Sequence, residues 1–87
     1  MGVLIRDIDA GSEHVVRKIN SEHGVTLDDV EDALDTILNY EFVEDARGRR
    51  LYVWGRARKR VIFVCLYPVD EAAGSWRLAT AYPDSWP

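Results

Sequence analysis

The chain has 87 residues, 47% of them hydrophobic, with a formal net charge of −4 at pH 7 and a single cysteine, Cys65. This length indicates one domain over residues 1–87, and the hydrophobic content excludes a disordered chain. One cysteine excludes an intramolecular disulfide and a zinc site of several cysteines, and no apolar run reaches the roughly 18 residues that span a bilayer.

The N-terminal part of the chain predicts one short strand and one helix. Residues 2–8 alternate loosely between apolar and polar side chains, which is compatible with a short strand. A turn at residues 9–12 follows, and Ser12 is a natural N-cap. Apolar residues at helical spacing then predict a helix over residues 13–22.

The stretch after this helix carries the most consistent local signals. Gly24 suits the left-handed position that closes a helix, Thr26 is a good N-cap, and Asp29 stands where a capping-box partner acts. These signals begin a second helix over residues 27–38. Its buried stripe is expected to consist of Val30, Ala33, Leu34, Ile37 and Leu38.

From residue 39 onwards the sequence has the period of a strand. We expect strands over residues 40–44, 50–54, 61–67 and 76–82, separated by a turn at 45–48, a basic connection at 55–60 and a loop at 69–75. Pro68 and Pro83 are expected to end their strands. The third strand is apolar on both faces, which predicts a central position, covered on both sides or covered on one side and at an interface on the other.

The predicted fold class is α+β. Two N-terminal helices pack on one face of an antiparallel β-meander of about four strands, with or without a short N-terminal strand. No repeat or linker divides the chain.

The charges are unevenly distributed. Residues 1–45 contain twelve acidic and three basic side chains, whereas residues 46–87 contain three acidic and eight basic ones. A net acidic chain is a poor general binder of nucleic acid, but its basic part can still bind an anion. A solvated acidic helix surface without a function and a functional basic patch both stay open here.

Basic and aromatic residues are concentrated in the predicted sheet. The basic ones are Arg47, Arg49, Arg50, Arg56, Arg58, Lys59, Arg60 and Arg77. The planar fork of arginine suits phosphate, and aromatic rings can stack on bases. The aromatic candidates are Tyr52, Trp54, Trp76 and Tyr82. The alternative is that these rings are core residues and the arginines are solvated turn residues.

The two histidines are the remaining candidates for chemistry. For His14 we favour an exposed helical position, and for His23 a contact with the last carbonyls of its helix. A general base or a ligand of RNA phosphate is the alternative role of His23. No metal-binding spacing, nucleotide-binding glycine motif or catalytic triad is visible, so no cofactor is expected.

The order of these motifs resembles the BrnT group of toxins from bacterial type II toxin–antitoxin systems, within the RelE-like ribonuclease superfamily. The resemblance covers residues 12–82. It is carried by His23-Gly24-Val25-Thr26 with the acidic helix start at 29–34, by residues 48–56 ending in Gly-Arg, by the apolar strand 61–66, and by Thr80-Ala81.

The resemblance implies a ribonuclease that inhibits translation, acts on RNA such as ribosome-bound messenger RNA, and is neutralised by an antitoxin protein. Catalysis in such proteins relies on basic side chains that stabilise charge on the scissile phosphate. The candidate catalytic residues are Arg56 and Arg77, with His23 and Tyr82 as further members. The candidate RNA-binding residues are Arg49, Arg50, Arg58, Lys59, Arg60 and Trp54.

An interaction module of the same fold, without catalysis, is the alternative function. Members of the family continue past the last strand into a helix rich in Arg and Glu, whereas this sequence has Tyr82-Pro83. We therefore expect uncovered sheet surface, which a partner or a second copy in a homodimer can bury. Charged residues follow at once after residues 1–5, so no signal peptide is expected, and we predict a cytoplasmic protein without membrane attachment.

Overall fold

The computed structural model of the protein describes residues 3–9 and 13–84. Its elements in chain order are β1 (Asp7–Asp9), α1 (Glu13–His23), α2 (Leu27–Asp35), β2 (Ile37–Asp45), β3 (Gly48–Ala57), β4 (Arg60–Asp70) and β5 (Ser75–Asp84). The predicted N-cap Ser12 lies outside the described residues.

The five strands form one mixed sheet in the order β1-β5-β4-β3-β2. β2 to β5 make an antiparallel meander, but β1 pairs in parallel with the start of β5. The predicted antiparallel sheet of about four strands is therefore wrong, although both helices do precede most of the sheet. The carbonyl of Gly74 accepts the N–H of Arg6 at 2.8 Å, and the carbonyl of Leu4 accepts the indole N–H of Trp76 at 2.9 Å. These two bonds hold the N-terminal segment beside β5, and a three-residue strand is too short to show a period in the sequence.

The junction between α1 and α2 has the predicted caps. Gly24 adopts φ +66°, and its N–H donates to the carbonyl of Asn20 at 2.9 Å, which closes α1. The hydroxyl of Thr26 accepts the N–H of Asp29 at 3.1 Å, and the Asp29 carboxylate accepts the N–H of Thr26 at 3.0 Å. The capping box is therefore confirmed.

α2 ends earlier than its apolar period predicts. Its last residue is Asp35, and Thr36 has left the helical conformation with φ −128° and ψ 63°. The carbonyl of Thr36 accepts the N–H of Arg56 at 3.1 Å, and Ile37 already pairs with Gly55 in β3. The prediction of a helix over residues 27–38 is wrong at its C-terminal end, because pairing with β3 satisfies the backbone there.

The strands are longer than the sequence predicts. β3 continues to Ala57, so the basic connection shrinks to a two-residue turn at Arg58 and Lys59, which have φ 49° and 67°. Pro68 and Pro83 lie inside β4 and β5 and do not end them, contrary to expectation. Pro68 adjoins an irregularity in the register. Among the described residues, the second half of β5 has no partner strand on one side, so Pro83 lies in an edge segment; strands tolerate proline at both kinds of position.

Both helices pack on one face of the sheet, where the core lies. The fully buried side chains of this core include Ile19, Val25, Val30, Leu51, Val53, Ile62, Val64, Leu66, Trp76 and Leu78. A Cβ at Gly55 would lie 1.8 Å from the carbonyl oxygen of Ala33, so the backbone of α2 rests directly on β3. β4 is the middle strand of the sheet, which confirms its predicted central position.

Candidate functional site

The sheet has a second face that neither helix covers. Alternation along the strands turns Leu51 and Val53 of β3 to the core, so the residues between and beside them face the other way. We call this surface the open face. Its members on the three central strands are Arg50, Tyr52, Trp54 and Arg56 of β3, Val61, Phe63, Cys65 and Tyr67 of β4, and Arg77, Thr80, Tyr82 and Asp84 of β5.

The strand register arranges the open face into four rows. Arg56, Val61 and Asp84 form the first row, which lies beside the β3–β4 turn. The second row is Trp54, Phe63 and Tyr82, and the third is Tyr52, Cys65 and Thr80. The fourth contains Tyr67 opposite Arg77, with Arg50 beside them on β3. Two aromatic rows therefore lie between two rows that contain arginine.

The rings of the second and third rows form one connected layer. The ring centroid of Phe63 lies 5.3 Å from that of Trp54, 5.2 Å from that of Tyr52 and 4.8 Å from that of Tyr82. The indole N–H of Trp54 donates to the carboxylate of Asp84 at 2.9 Å. These four rings are among the residues that line a shallow depression of ≈ 560 Å³ on the open face. Phe63 itself is only 7% exposed, so in this aromatic floor the rings on which bases can stack are those of the half-buried Tyr52, Trp54 and Tyr82 around it.

His23 and Tyr82 meet at the edge of this layer. Only the first three residues of β5 pair with β1, and the C-terminal end of α1 lies against the remaining edge of β5. The His23 ring centroid lies 5.7 Å from that of Tyr82, and its Nε2 lies 3.8 Å from the carboxylate of Glu22. Burial, and then the charge of Asp84, raise the pKa of Tyr82, so its phenol keeps its proton at neutral pH.

The four candidate catalytic residues fall into two groups. Arg56 lies in the first row, next to the row of Tyr82 but separated from that residue by β4, and it makes no ion pair with the described residues. Arg77 lies in the fourth row, with its guanidinium 3.5 Å from the carboxylate of Asp9. At about 3.4 Å per strand residue, the first and fourth rows are about 20 Å apart. Arg56 and Arg77 therefore cannot both contact the same phosphate group.

Arg58 and Arg60 make contacts that hold the fold together. The Asp29 carboxylate is 2% exposed and accepts the Arg58 Nε–H at 2.6 Å, with a second bond from the same guanidinium and a longer one from Arg60 at 3.4 Å. Arg60 also donates to the carbonyl of Gly24 at 2.8 Å. These bonds tie the β3–β4 turn to the junction of the helices. Lys59, between the two arginines, is exposed.

Arg49 and Arg50 lie on opposite faces of β3. Arg49 is on the helix side, where its guanidinium pairs with Glu71 at 2.7 Å and lies 4.4 Å from the ring centroid of Phe42. Arg50 lies on the open face, is paired with Asp45, and has a buried Nε–H without an acceptor among the described residues. The predicted RNA-binding set is thus divided, and only Arg50 and Trp54 of its six members line the depression.

Three features of the structure were not predicted from the sequence. Phe63 belongs to the aromatic floor and Tyr67 lies in the fourth row beside it, and the alternation of β4 could have indicated that both face the same side. Trp76, a candidate for stacking, is fully buried in the core, as its spacing of two from Leu78 could have indicated. Nothing in the sequence paired the capping residue Asp29 with a turn 29 residues away.

Comparisons with known proteins do not identify the chain. No protein-family model, curated protein or solved structure matches it. Within residues 3–9 and 13–84, no three His, Cys, Asp or Glu side chains are grouped as metal ligands would be. Neither helix in these ranges is long and apolar enough to cross a membrane.

Proposed function

We propose that this protein is a ribonuclease that inhibits translation in the cytoplasm and is neutralised by a cognate antitoxin protein. The observation that carries the proposal is the open face, where two aromatic rows lie between arginines. Stacking on rings supplies binding energy without sequence preference, and arginine neutralises phosphate. The resemblance to the BrnT group, carried by the short motifs of the sequence, supports the same function.

The end of the open face nearest the β3–β4 turn suits the cleavage step. Arg56 there would stabilise negative charge on the scissile phosphate. His23 would take the proton of the 2′-hydroxyl as that oxygen attacks phosphorus, and the phenol of Tyr82 would donate a proton to the departing 5′-oxygen. The new P–O bond gives a 2′,3′-cyclic phosphate, and the broken one gives a 5′-hydroxyl end.

A cleavage assay tests this proposal directly. Purified protein is mixed with a 5′-labelled single-stranded RNA, and the products are resolved on a denaturing gel. We expect Arg56→Ala and His23→Ala to lower the cleavage rate by about 100-fold, the range for one general acid–base or electrostatic group. Arg17→Ala is the matched control, because Arg17 is exposed on α1 and its one ion pair within residues 3–9 and 13–84 is with Glu13 at 3.5 Å.

Growth on expression gives the second arm of the same test. The wild-type chain is expected to arrest growth and Arg56→Ala to relieve the arrest, provided that circular dichroism shows both to be folded. Intact RNA in vitro together with normal growth would contradict the ribonuclease proposal.

A non-catalytic interaction module is the second candidate function. It is favoured by exposed apolar surface at the C-terminal end of β4, where Tyr67 is 43% exposed and Val69 is 56% exposed. In this case the open face would bind a second copy of the chain or another protein. Size-exclusion chromatography with light scattering tests the homodimer: Tyr67→Glu should dissociate it, and a wild-type monomer at all concentrations would exclude it.

A further inference from the structure

We infer that the open face is a track for one single-stranded RNA segment of about four to six nucleotides, held by an arginine row at each end. This inference rests on the proposed function and adds the length, the strandedness and the path of the bound RNA. It follows from the order of the four rows, in which Arg56 stands at one end and Arg50 and Arg77 at the other.

The distance between the end rows fixes the length. Three steps of two residues, at about 3.4 Å per residue, separate the first row from the fourth by about 20 Å. A strand with fully stacked bases advances about 3.4 Å per nucleotide, so about six nucleotides cover this distance. If each nucleotide instead occupies one row, about four are enough, and both values agree with the roughly 4–16 nucleotides that other sheet surfaces bind.

The chemistry of the middle rows requires a single strand. Phe63 lies at the centre of the floor, within 5.3 Å of Trp54, 5.2 Å of Tyr52 and 4.8 Å of Tyr82, between ring centroids. A base can stack on these rings only if one of its faces is not already stacked on another base. The bases of an RNA duplex are stacked on each other and expose only their edges, so a duplex leaves the floor without a partner.

Both ends of the track can present a guanidinium to phosphate. Arg56 is exposed and makes no ion pair with the described part of the chain. Arg77 pairs with Asp9 at 3.5 Å, but the two side chains are 58% and 49% exposed. An ion pair this exposed contributes little, so Arg77 can turn to a phosphate without a large loss. The two ends therefore act as separate anchors for one strand.

The test compares two lengths of RNA. Fluorescence anisotropy measures the dissociation constants of oligonucleotides of three and eight nucleotides, made with 2′-O-methyl groups so that no 2′-hydroxyl can attack. The trimer can reach only one end row, whereas the octamer reaches both. We expect the octamer to bind the wild-type chain at least about tenfold more tightly, which is the contribution of one additional charge-assisted contact.

The variant Arg77→Ala isolates the far anchor. Arg50 of the same row is held by its ion pair with Asp45, so Arg77→Ala should abolish the length gain and leave trimer and octamer with about equal affinity. Arg77→Lys should keep most of the gain because it retains the charge. Arg17→Ala should leave the gain as in the wild type, and an eight-base-pair RNA duplex should fail to compete with the octamer.

Three results would overturn the track. They are a length gain that survives Arg77→Ala, an equal affinity of wild-type protein for trimer and octamer, and effective competition by the duplex. If neither the trimer nor the octamer binds, both the proposed function and this inference are contradicted. If the protein cleaves RNA but binds the octamer no more tightly than the trimer, the ribonuclease proposal holds and only the inferred track is contradicted.

Discussion

Replacing Asp29 by asparagine is expected to destabilise the fold, because it removes the negative charge that pairs with Arg58 and Arg60. Asp29 receives hydrogen bonds from Arg58, Arg60 and the N–H of Thr26. The hydrogen bonds of Arg58 are the largest cause that lowers the pKa of this carboxyl, and burial opposes them. Asparagine keeps the shape and an acceptor oxygen for the capping box but removes the charge that the two arginines face.

The pKa of Asp29 gives the magnitude and the pH range of the effect. It is lowered from 3.8 to about 2, and at about 1.4 kcal/mol per pKa unit this corresponds to about 2 kcal/mol of stability at neutral pH. The unfolded chain takes up its proton near pH 4, before the folded chain does. The contribution is therefore complete above about pH 5 and is lost as the pH falls from about 4 to about 2.

Urea unfolding between pH 7 and pH 2 measures this contribution. At pH 7, Asp29→Asn should lower the free energy of unfolding by about 2 kcal/mol, or the melting temperature by about 10 °C. The difference from the wild type should shrink towards zero at pH 2, where the wild-type carboxyl is becoming neutral. Asp28→Asn is the matched control, because Asp28 is its exposed neighbour in the same helical turn. Equal effects of the two variants at pH 7, or a difference that persists unchanged at pH 2, would refute the reasoning.

Three further substitutions or reactions test the packing. Gly55→Ala should lower the free energy of unfolding by about 3 kcal/mol, and more than Gly24→Ala, because its Cβ would overlap the backbone of Ala33 while Gly24 has only the strain of φ +66°; urea unfolding compares the two variants. Lys59→Gly should raise the free energy of unfolding by about 1 kcal/mol, since glycine relieves a φ of 67°, and an unchanged urea midpoint would contradict this. Cys65 lies in the open face but is only 7% exposed, and burial raises its pKa, so it should react with iodoacetamide at pH 8 far more slowly than free cysteine; an equal rate would contradict the burial of this thiol.

Local sequence signals predicted the parts of the fold that depend on neighbouring residues. The cap at Gly24 and the capping box of Thr26 and Asp29 need only residues within one helical turn, and both are confirmed. The end of α2 was missed because Ile37 keeps a helical period while its backbone pairs with Gly55 in β3. The parallel pairing of β1 depends on Trp76 and the Leu4 carbonyl, 72 residues apart, and no local pattern records such a contact.

The candidate site was predictable in composition but not in arrangement. The sequence indicated arginines and rings on the strands, and the strand alternation does bring Trp54 and Tyr82 to one surface. The division between Arg56 and Arg77 follows from the register of three strands, which a sequence without fixed strand ends does not give. The pairing of Arg58 with Asp29 likewise required the position of the β3–β4 turn over the helices.

The central claim is that the open face binds single-stranded RNA, and the indole N–H groups of Trp54 and Trp76 test it most directly. Trp54 lies in the second row, whereas Trp76 is fully buried and donates to the carbonyl of Leu4 at 2.9 Å. In ¹H–¹⁵N correlation spectra recorded with a 2′-O-methyl octamer, the indole signal of Trp54 should shift together with the amides of Tyr52 and Phe63, while that of Trp76 stays in place. Shifts confined to exposed residues of the helices, or no shifts at all, would contradict the account.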